Sequence, residues 1–435
     1  MRLLRLDRSA RGLLALLGGN PAFRRLFAAR AMSLVGDWFA FVALSGLLYD
    51  LTGRPGAPAL IFAAQSLPMV VLVPLSGAVA DRLDRKRLKV ACDLAAIIPV
   101  LGFLLAARWE HAALALGCVL LLSTVAAFAD PIPKAALPNL VAREDLSLAQ
   151  TAMGSLYTVG LLLGAGLGGV VTATFGPQVT FLVDLATFLG SAVLVVGIRQ
   201  PFSGFAPPGR PRLRHDTRQL WEFVQDTPMV RALLWITVGL RLGYGVVGLL
   251  PAYALARFHA GSAGVGGLFL AQGVGAVLGP FLGRAAAQDL PGRRLVVAGI
   301  AVAVFGLGYL GLAAAPSLPI GLPMAMVAHA GVGTSAILAV TGLQVATPDA
   351  LRGRIMALVF GLSAGLQGLS AVVAAWLADT AGLLWATRAL GLFAVGYSGV
   401  WLLTPTFASG PRGRLREGRP GRGGRESLLP KELGW

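Results

Sequence analysis

Twelve long runs of apolar residues constrain the fold of this chain more than any other feature. A helix needs roughly 20 apolar residues to cross about 30 Å of hydrocarbon, and its backbone groups are then hydrogen-bonded internally. The alternating runs of about ten residues that a membrane β-barrel would contain are not visible. The sequence therefore predicts twelve transmembrane helices, at residues 24–50, 58–80, 88–107, 112–131, 152–174, 178–198, 230–256, 262–287, 294–315, 318–345, 355–378 and 383–404.

The composition supports an all-α membrane protein. Apolar residues make up 56% of the chain and charged residues 13%, whereas soluble domains average about 45–50% and about 25%. The histidines and cysteines lack the spacing of a zinc site, and no phosphate-binding Gly-x-x-x-x-Gly-Lys-Ser/Thr motif is present. We therefore expect no metal, no cofactor and no enzymatic activity. Cys92 and Cys118 lie in apolar runs, where they are expected to be buried hydrophobic residues.

The basic residues are distributed unevenly along the chain. Its net charge is +17, and 31 of its 37 lysines and arginines fall on one side of the membrane if the runs cross it in turn. Positive residues accumulate on the cytoplasmic side, so both termini are predicted to be cytoplasmic. This distribution favours membrane lipids, and not nucleic acid, as partners of the Arg-rich tail.

The longest polar stretch divides the chain into two halves of six runs each. Within this stretch, Leu213–Asp226 is predicted to form a short amphipathic helix. We predict an N-terminal arm (1–22), a six-helix bundle (23–198), a cytoplasmic linker (199–229), a second six-helix bundle (230–404) and a basic, disordered tail (405–435).

Short matches relate the two halves. Phe62-Ala63-Ala64-Gln65 recurs as Phe269-Leu270-Ala271-Gln272, and Gly77 corresponds to Gly283 at nearly the same offset. Two halves of the same orientation indicate parallel repeats about an axis normal to the membrane, with a site near the midplane between them. Gln65 and Gln272 are candidates for lining that site, with hydrogen bonding between helices as the alternative.

Two charged residues share the first run. A charge at the centre of a span costs about 2.5–3.5 kcal/mol on insertion scales and needs a partner or water. Arg30 and Asp37 are seven residues apart, which is two helical turns, so both lie on one face. Asp37 is a candidate for exchanging a proton or binding a cationic substrate. The alternative is a structural network that fixes the first helix to its neighbours.

The second half has two mid-depth candidates. Arg241, in the seventh run, is a counter-ion for an acidic substrate or for Asp37, or else an arginine held by backbone carbonyls. His329, in the tenth run, is a candidate proton carrier because histidine titrates near physiological pH, with a packing role as the alternative. For Asp184, in the sixth run, a structural role is favoured.

The loop after the second run, Gly77-Ala78-Val79-Ala80-Asp81-Arg82-Leu83-Asp84-Arg85-Lys86-Arg87, resembles the signature of the major facilitator superfamily, Gly-x-x-x-Asp-Arg-x-Gly-Arg-Arg/Lys. Asp84 replaces the second glycine. The resemblance covers about residues 20–404 and implies the major facilitator fold, two pseudo-symmetric six-helix bundles. In that family the aspartate engages the eleventh helix, whose N-terminus carries partial positive charge. The resemblance thus implies a gating loop of Gly77, Asp81, Arg82, Arg85 and Lys86.

The fifth run carries a second resemblance. Its glycines resemble the antiporter motif Gly-x-x-x-Gly-Pro-x-x-Gly-Gly, found mainly in exporters, with Ala165 in place of the proline. The matching residues are Gly160, Gly164, Gly168 and Gly169. The stretches 33–38 and 341–354 are similar to the branch of the family that contains the enterobactin exporter and macrolide efflux proteins.

These resemblances imply a secondary active transporter. It would be a monomer in a prokaryotic inner (plasma) membrane and would export a small organic molecule, such as a drug, siderophore or metabolite, in exchange for protons by alternating access. Uptake or uncoupled facilitation is the alternative within transport. A polytopic sensor or enzyme is the alternative outside it, which the short loops disfavour. The sequence leaves the substrate open.

Overall fold

Long helices make up nearly all of the chain. The structure, a computed structural model, describes residues 12–80, 83–202, 213–288 and 294–404. Its long helices, called spans 1 to 12 below after the predicted crossings, are Pro21–Thr52 (span 1), Ala59–Ala80 (2), Arg85–Arg108 (3), Ala112–Leu140 (4), Leu146–Val196 (5 and 6), Pro228–Arg257 (7), Gly261–Gln288 (8), Arg294–Ala314 (9), Leu318–Ala346 (10), Asp349–Thr380 (11) and Leu383–Leu403 (12). Among the described residues, 10 helical segments are long and apolar enough to cross a membrane, and Ala59–Leu72 is a shorter apolar helix.

A break at Gly176 divides the longest helical segment into two spans. Leu146–Val196 has 51 residues, more than twice the roughly 20 that one crossing requires. The φ of Gly176 is 82°, a value that glycine adopts without strain, and Pro177 suits the first turn of the helix that follows. Spans 5 and 6 therefore meet at a turn, and the described ranges accommodate the twelve predicted crossings.

The predicted ends were wrong at three spans. Span 11 begins at Asp349 and not at residue 355. Span 4 continues through the short helix Pro131–Leu140, and span 5 begins at Leu146. Both extensions carry buried residues, such as Leu137 and Ala149, next to polar ones, so they are amphipathic and fall outside a purely apolar run. The predicted helix over Leu213–Asp226 is present. Both cysteines are buried and free, as predicted.

Local capping sets where spans 1 and 3 begin. The side chain of Asn20 accepts a hydrogen bond of 2.9 Å from the N–H of Phe23, and Pro21 follows as the first helical residue. Asp84 accepts one of 2.8 Å from the N–H of Arg87. The residue that departs from the glycine of the loop signature is therefore the N-cap of span 3.

The spans form two six-helix bundles with related packing. In the first bundle span 1 packs against spans 5 and 6, span 2 against span 4, and span 3 against spans 4 and 6. In the second bundle span 8 packs against span 10, and span 9 against spans 10 and 12. Across the interface span 2 meets span 11, and span 5 meets span 8. In the repeat, span 2 corresponds to span 8 and span 5 corresponds to span 11. The two contacts are therefore equivalent, as a parallel repeat requires.

The two bundles are in close contact at one end, called the closed end below. There the N–H of Gly56 donates a hydrogen bond of 2.8 Å to the carboxylate of Asp379 across the interface. The ring of Phe41 lies 5.2 Å from that of Phe62 and 5.0 Å from that of Phe269. Phe62 and Phe269 are the equivalent residues of the sequence repeat, so the repeat brings both rings onto span 1.

The bundles separate toward the opposite end, called the open end below. Gly166 of span 5 lies beside Leu270 of span 8, but the residues that continue these helix faces, Val159 and Val277, are 41% and 38% exposed. On span 11 a Cβ at Gly361 would meet nothing within 4 Å. A cavity therefore opens between the bundles at the end where spans 2 and 8 finish.

The glycines of the antiporter-like motif bring span 5 close to its neighbours. A Cβ would lie 2.9 Å from Leu34 Cβ at Gly160, 2.7 Å from Trp38 Cβ at Gly164 and 2.9 Å from Phe39 Cα at Gly168, all on span 1. At Gly169 it would lie 2.9 Å from the Cα of Gly266 on span 8. Small residues permit such close packing of membrane helices, so this motif joins span 5 to span 1 and to the other bundle.

We expect Gly164→Ala to destabilise the protein by about 1–3 kcal/mol, because the new methyl group would overpack the contact with Trp38. Thermal unfolding of the purified protein in detergent measures this effect. Gly154→Ala is the matched control, since a Cβ at Gly154, in the same span, meets nothing within 4 Å. Equal midpoints for the two variants would contradict the assigned contact.

Candidate functional site

The first bundle contains a network of charged side chains at its centre. One ion pair joins span 1 to span 4, where Nη1 of Arg30 lies 2.8 Å from Oδ1 of Asp130. The Arg30 side chain is 19% exposed, whereas Asp130 is 41% exposed. The network has four carboxyl groups and two cations, namely Asp37, Asp93, Asp130 and Asp184 with Arg30 and Lys89.

A second ion pair is buried more deeply. The ammonium group of Lys89 binds Oδ1 of Asp93 one helical turn later in span 3, and their side chains are only 3% and 2% exposed. The other oxygen of Asp93 accepts a hydrogen bond of 2.9 Å from Ser191 of span 6. Both oxygens of this carboxylate therefore have partners, and the pair also fixes span 3 to span 6.

Asp37 lies between these two ion pairs. Its half-buried carboxyl group interacts electrostatically with Arg30, Asp130, Lys89 and Asp93. Arg30 therefore belongs to the environment of Asp37, as its position in span 1 predicted. Its direct ion pair, however, is with Asp130.

Asp184 adds a fully buried carboxyl group next to Asp37. Thr187 contacts its Oδ1 at 3.4 Å, and Oδ2 has no hydrogen-bond partner among the described residues. Gly36 makes room for this group, because a Cβ at Gly36 would lie 2.5 Å from Oδ1 of Asp184. A buried carboxyl oxygen without a hydrogen-bond partner is costly.

The second bundle places a single cation at the corresponding depth. Nη1 of Arg241 donates a hydrogen bond of 3.2 Å to Oε1 of Gln367 on span 11. Its guanidinium carbon lies 5.1 Å from the centre of the Tyr244 ring, a distance suited to a cation–π contact. A side-chain amide and a ring therefore hold Arg241, in place of the backbone carbonyls considered above.

His329 lies inside the second bundle, away from open water. It is 1% exposed, and its Nε2 lies 3.0 Å from the hydroxyl of Tyr309. The rings of Tyr244 and Phe305 lie 6.0 and 6.2 Å from the imidazole. These contacts favour the packing role over proton transport for His329.

Tyr157 of span 5 marks the cavity between the bundles. Its ring lies 6.2 Å from that of Trp38, and its side chain is 59% exposed. Tyr157 interacts electrostatically with Arg241 and Tyr244 of the other bundle and with Asp37 of its own. It therefore lies between the acidic wall of the cavity and the wall that carries Arg241.

The two glutamines of the repeat differ in burial. Gln272 is 6% exposed, and its Oε1 has no hydrogen-bond partner among the described residues. Gln65 is half-buried. Their contribution to substrate binding remains a prediction.

The gating loop is only partly visible. Asp81 and Arg82 lie outside the described residues, and Gly77 lies in the last turn of span 2. Nη1 of Arg85 donates to the carbonyl of Ala135 at 3.3 Å, and Lys86 donates to that of Ile198 at 2.6 Å. In this conformation both cations therefore bind carbonyl groups of their own bundle. The gating role of this loop stays a prediction.

Sequence reasoning missed three members of the network. Lys89 and Asp93 lie near the start of span 3, where their spacing of four residues was a usable signal for an intrahelical ion pair. Asp130 lies at the end of the predicted fourth run (112–131), directly before Pro131. Only the packing of span 4 against span 1 places it beside Arg30.

Two repeated six-helix bundles that enclose a charged cavity are an architecture of secondary transporters. The family model of the Major Facilitator Superfamily matches residues 26–375, and the chain belongs to this superfamily. It is therefore a multi-pass membrane transporter and not an enzyme.

Two relatives illustrate the sequence similarity. The chain is 27% identical over 382 residues to the multidrug efflux pump Tap of Mycolicibacterium fortuitum, covering 84% of this chain and 90% of Tap. It is 28% identical over 369 residues to the enterobactin exporter EntS of Citrobacter koseri, covering 79% of this chain and 82% of EntS.

Two solved structures illustrate the similarity of fold. A bacterial homolog of the human lysosomal transporter Spinster, inward-facing and unoccupied, superposes with a TM-score of 0.68 at 15% identity, covering 89% of this chain and 97% of that one. A bacterial homologue of the iron transporter ferroportin, in an inward-facing state, superposes with a TM-score of 0.68 at 15% identity, covering 87% of this chain and 98% of that one.

We expect Asp93→Leu to destabilise the protein by about 3–5 kcal/mol, because it would leave the Lys89 ammonium buried without a counter-ion. The double variant Lys89→Met/Asp93→Leu should recover most of this loss, since no unpaired charge remains. Thermal unfolding in detergent measures both effects. Glu222→Gln, which removes half of the exposed Arg218–Glu222 pair, is the control and should leave the midpoint unchanged. A double variant no more stable than Asp93→Leu would contradict the buried pair.

Proposed function

We propose that this transporter exports a small organic molecule, such as a drug, siderophore or metabolite, in exchange for protons. Its relatives Tap and EntS are a multidrug efflux pump and an enterobactin exporter, which supports the direction of transport. The antiporter-like glycines that join span 5 to span 1 add to this support. The bacterial relatives favour an inner-membrane location, and a monomer would be sufficient for the mechanism.

The excess of carboxyl groups in the first bundle is the observation that carries proton coupling. Four carboxyl groups face two cations, and both cations already have carboxylate partners. Asp37 and Asp184 therefore remain without a paired cation. Because isolated buried charge is costly, we infer that protons neutralise part of this excess. Asp37 is the group of the two that has access to the cavity.

Alternating access would connect this proton site to each side of the membrane in turn. The asymmetry of basic residues favours cytoplasmic termini, and the open end would then face the cytoplasm. Substrate would enter from that side while Asp37 releases its proton. After the bundles rock, a proton from outside would bind Asp37 and favour substrate release. The cycle requires two bundles that move relative to each other, which is the predicted division into an arm, two bundles, a linker and a tail. We expect the basic tail to bind the lipid surface.

We expect Asp37→Asn to abolish uphill efflux driven by a pH gradient, because an amide cannot exchange the coupled proton. Downhill exchange should survive, since it requires alternating access but no net proton movement. Proteoliposomes loaded either with ethidium, an organic cation, or with fluorescein, an organic acid, measure both processes. Asp50→Asn is the matched control, because Asp50 lies in span 1 but is exposed at its closed end.

The two variants separate coupling from structure. A folded Asp37→Asn protein that still concentrates, against its gradient, a probe that the wild-type protein exports would rule out the coupling role of Asp37. Loss of folded protein in this variant alone would instead favour the structural alternative for the network. A wild-type protein that moves neither the cation nor the acid in either direction would contradict the proposed export.

The second proposal concerns the gate. We infer that Asp81 engages the N-terminus of span 11 when the open end closes, because the helix dipole attracts a carboxylate there. Asp81→Asn should therefore lower the fraction of closed molecules and impair transport. Val159→Cys with Val277→Cys places thiols on the separated faces of spans 5 and 8, and the yield of their crosslink reports closure.

The matched control for the gate is Asp84→Asn. It makes the same chemical change in the same loop but retains a side-chain oxygen that can cap span 3. Crosslinking should fall in Asp81→Asn and stay unchanged in Asp84→Asn. Equal crosslinking and transport in the two variants would reject the assignment of Asp81.

A further inference from the structure

Arg241 is a cation within a membrane span, and the described residues supply no counter-ion for it. Its hydrogen-bond partner is the neutral amide of Gln367, and its ring contact is with Tyr244. In the part of the chain that the structure describes, no carboxylate forms an ion pair with Arg241. Such a charge needs an anion or water to compensate its transfer from bulk solvent.

One edge of the Arg241 guanidinium is available for a ligand. Nη1 donates one of its two N–H groups to Gln367, whereas Nε is buried without a hydrogen-bond partner among the described residues and is closed to a ligand in this conformation. The side chain as a whole is half-buried. Arginine binds carboxylates through two parallel N–H groups, and the edge formed by Nη2 and the second N–H of Nη1 suits this geometry. Gln367 on one side and the Tyr244 ring on the other restrict the orientation of the guanidinium plane.

The surroundings of Arg241 indicate the rest of the ligand. Tyr244 lies against the guanidinium, and Tyr157 of the other bundle lies within electrostatic range of both, with its side chain 59% exposed. Aromatic rings on opposite walls suit a flat apolar body, because ring contacts add attraction beyond burial alone. The cavity thus offers a charged point and two aromatic surfaces.

We propose that Arg241, Gln367 and Tyr244 form the substrate anion site, which binds the carboxylate of an aromatic organic acid. This inference rests on the proposed function and names the substrate class for the same cavity. The two ligands then bind to different bundles. The anion binds the second bundle, whereas the exchanged proton binds the carboxyl groups of the first, whose negative charge would repel an anionic substrate.

Binding of two matched probes tests the proposal without any gradient. The purified protein, in nanodiscs of phosphatidylcholine at pH 7.5, is titrated calorimetrically with 1-naphthoate and with 1-naphthylmethanol, which differ only in the carboxylate. We expect the wild-type protein to bind the acid at least about ten-fold more tightly, since charge-assisted bidentate pairs are stronger than neutral hydrogen bonds. Arg241→Gln should remove this preference and leave the alcohol affinity within about two-fold.

Arg388→Gln is the matched control. Arg388 also lies against an aromatic ring, that of Trp385 at 5.5 Å, but belongs to span 12 near the closed end. It should retain the wild-type preference for the acid. Arg241→Lys, which keeps the charge but loses the fork of two N–H groups, should fall between wild type and Arg241→Gln.

The wild-type measurement alone can overturn the proposal. The proposal fails if the wild-type protein binds 1-naphthoate no more tightly than the alcohol, including the case in which neither probe binds. It also fails if a folded Arg241→Gln protein keeps the preference. Because no gradient is applied, these outcomes do not depend on proton coupling. Conversely, the wild-type protein could prefer the acid in the binding experiment and show no efflux driven by a pH gradient. That outcome would reject the proton exchange and leave the anion site intact.

Discussion

A charge at membrane depth needs a counter-ion, and the packing of the first bundle follows from this constraint. Arg30 on span 1 binds Asp130 on span 4, while Lys89 and Asp93 bind each other and reach span 6 through Ser191. These contacts link spans 1, 3, 4 and 6. Removing one partner would leave a buried charge alone, which costs more than the pair contributes. The network therefore restricts how these helices can move relative to one another.

The two bundles repeat a fold without repeating its chemistry. In the described part of the second bundle Arg241 is the central cation, and His329 lies among aromatic rings. At the closed end the bundles meet through aromatic rings, glycine contacts and the hydrogen bond from Gly56 to Asp379. None of these contacts buries an ion pair. They can therefore separate at lower cost than the internal network, as rigid-body rocking requires.

Much of the fold could be predicted from the sequence because membrane depth fixes the length of an apolar run. Helix ends were harder, since the amphipathic extensions at Pro131–Leu140 and Leu146 depend on neighbouring helices for burial. Asp84 looked like a departure from a motif, whereas the structure identifies it as a helix cap. The partner of Arg30 could not be predicted, because Asp130 is 100 residues away and only tertiary packing brings the two together.

The separation of charges between the bundles bears on how exchange could be coupled. In the part of the chain that the structure describes, Asp37 has no paired cation and lies on one wall, whereas Arg241 has no counter-ion and lies on the other. Tyr157 is within electrostatic range of both. When the cavity is open, water compensates both. Closure removes that water and makes each uncompensated charge costly. A proton on Asp37 and an anion on Arg241 each remove one of these costs, so each ligand lowers the free energy of closing the cavity over its own binding site.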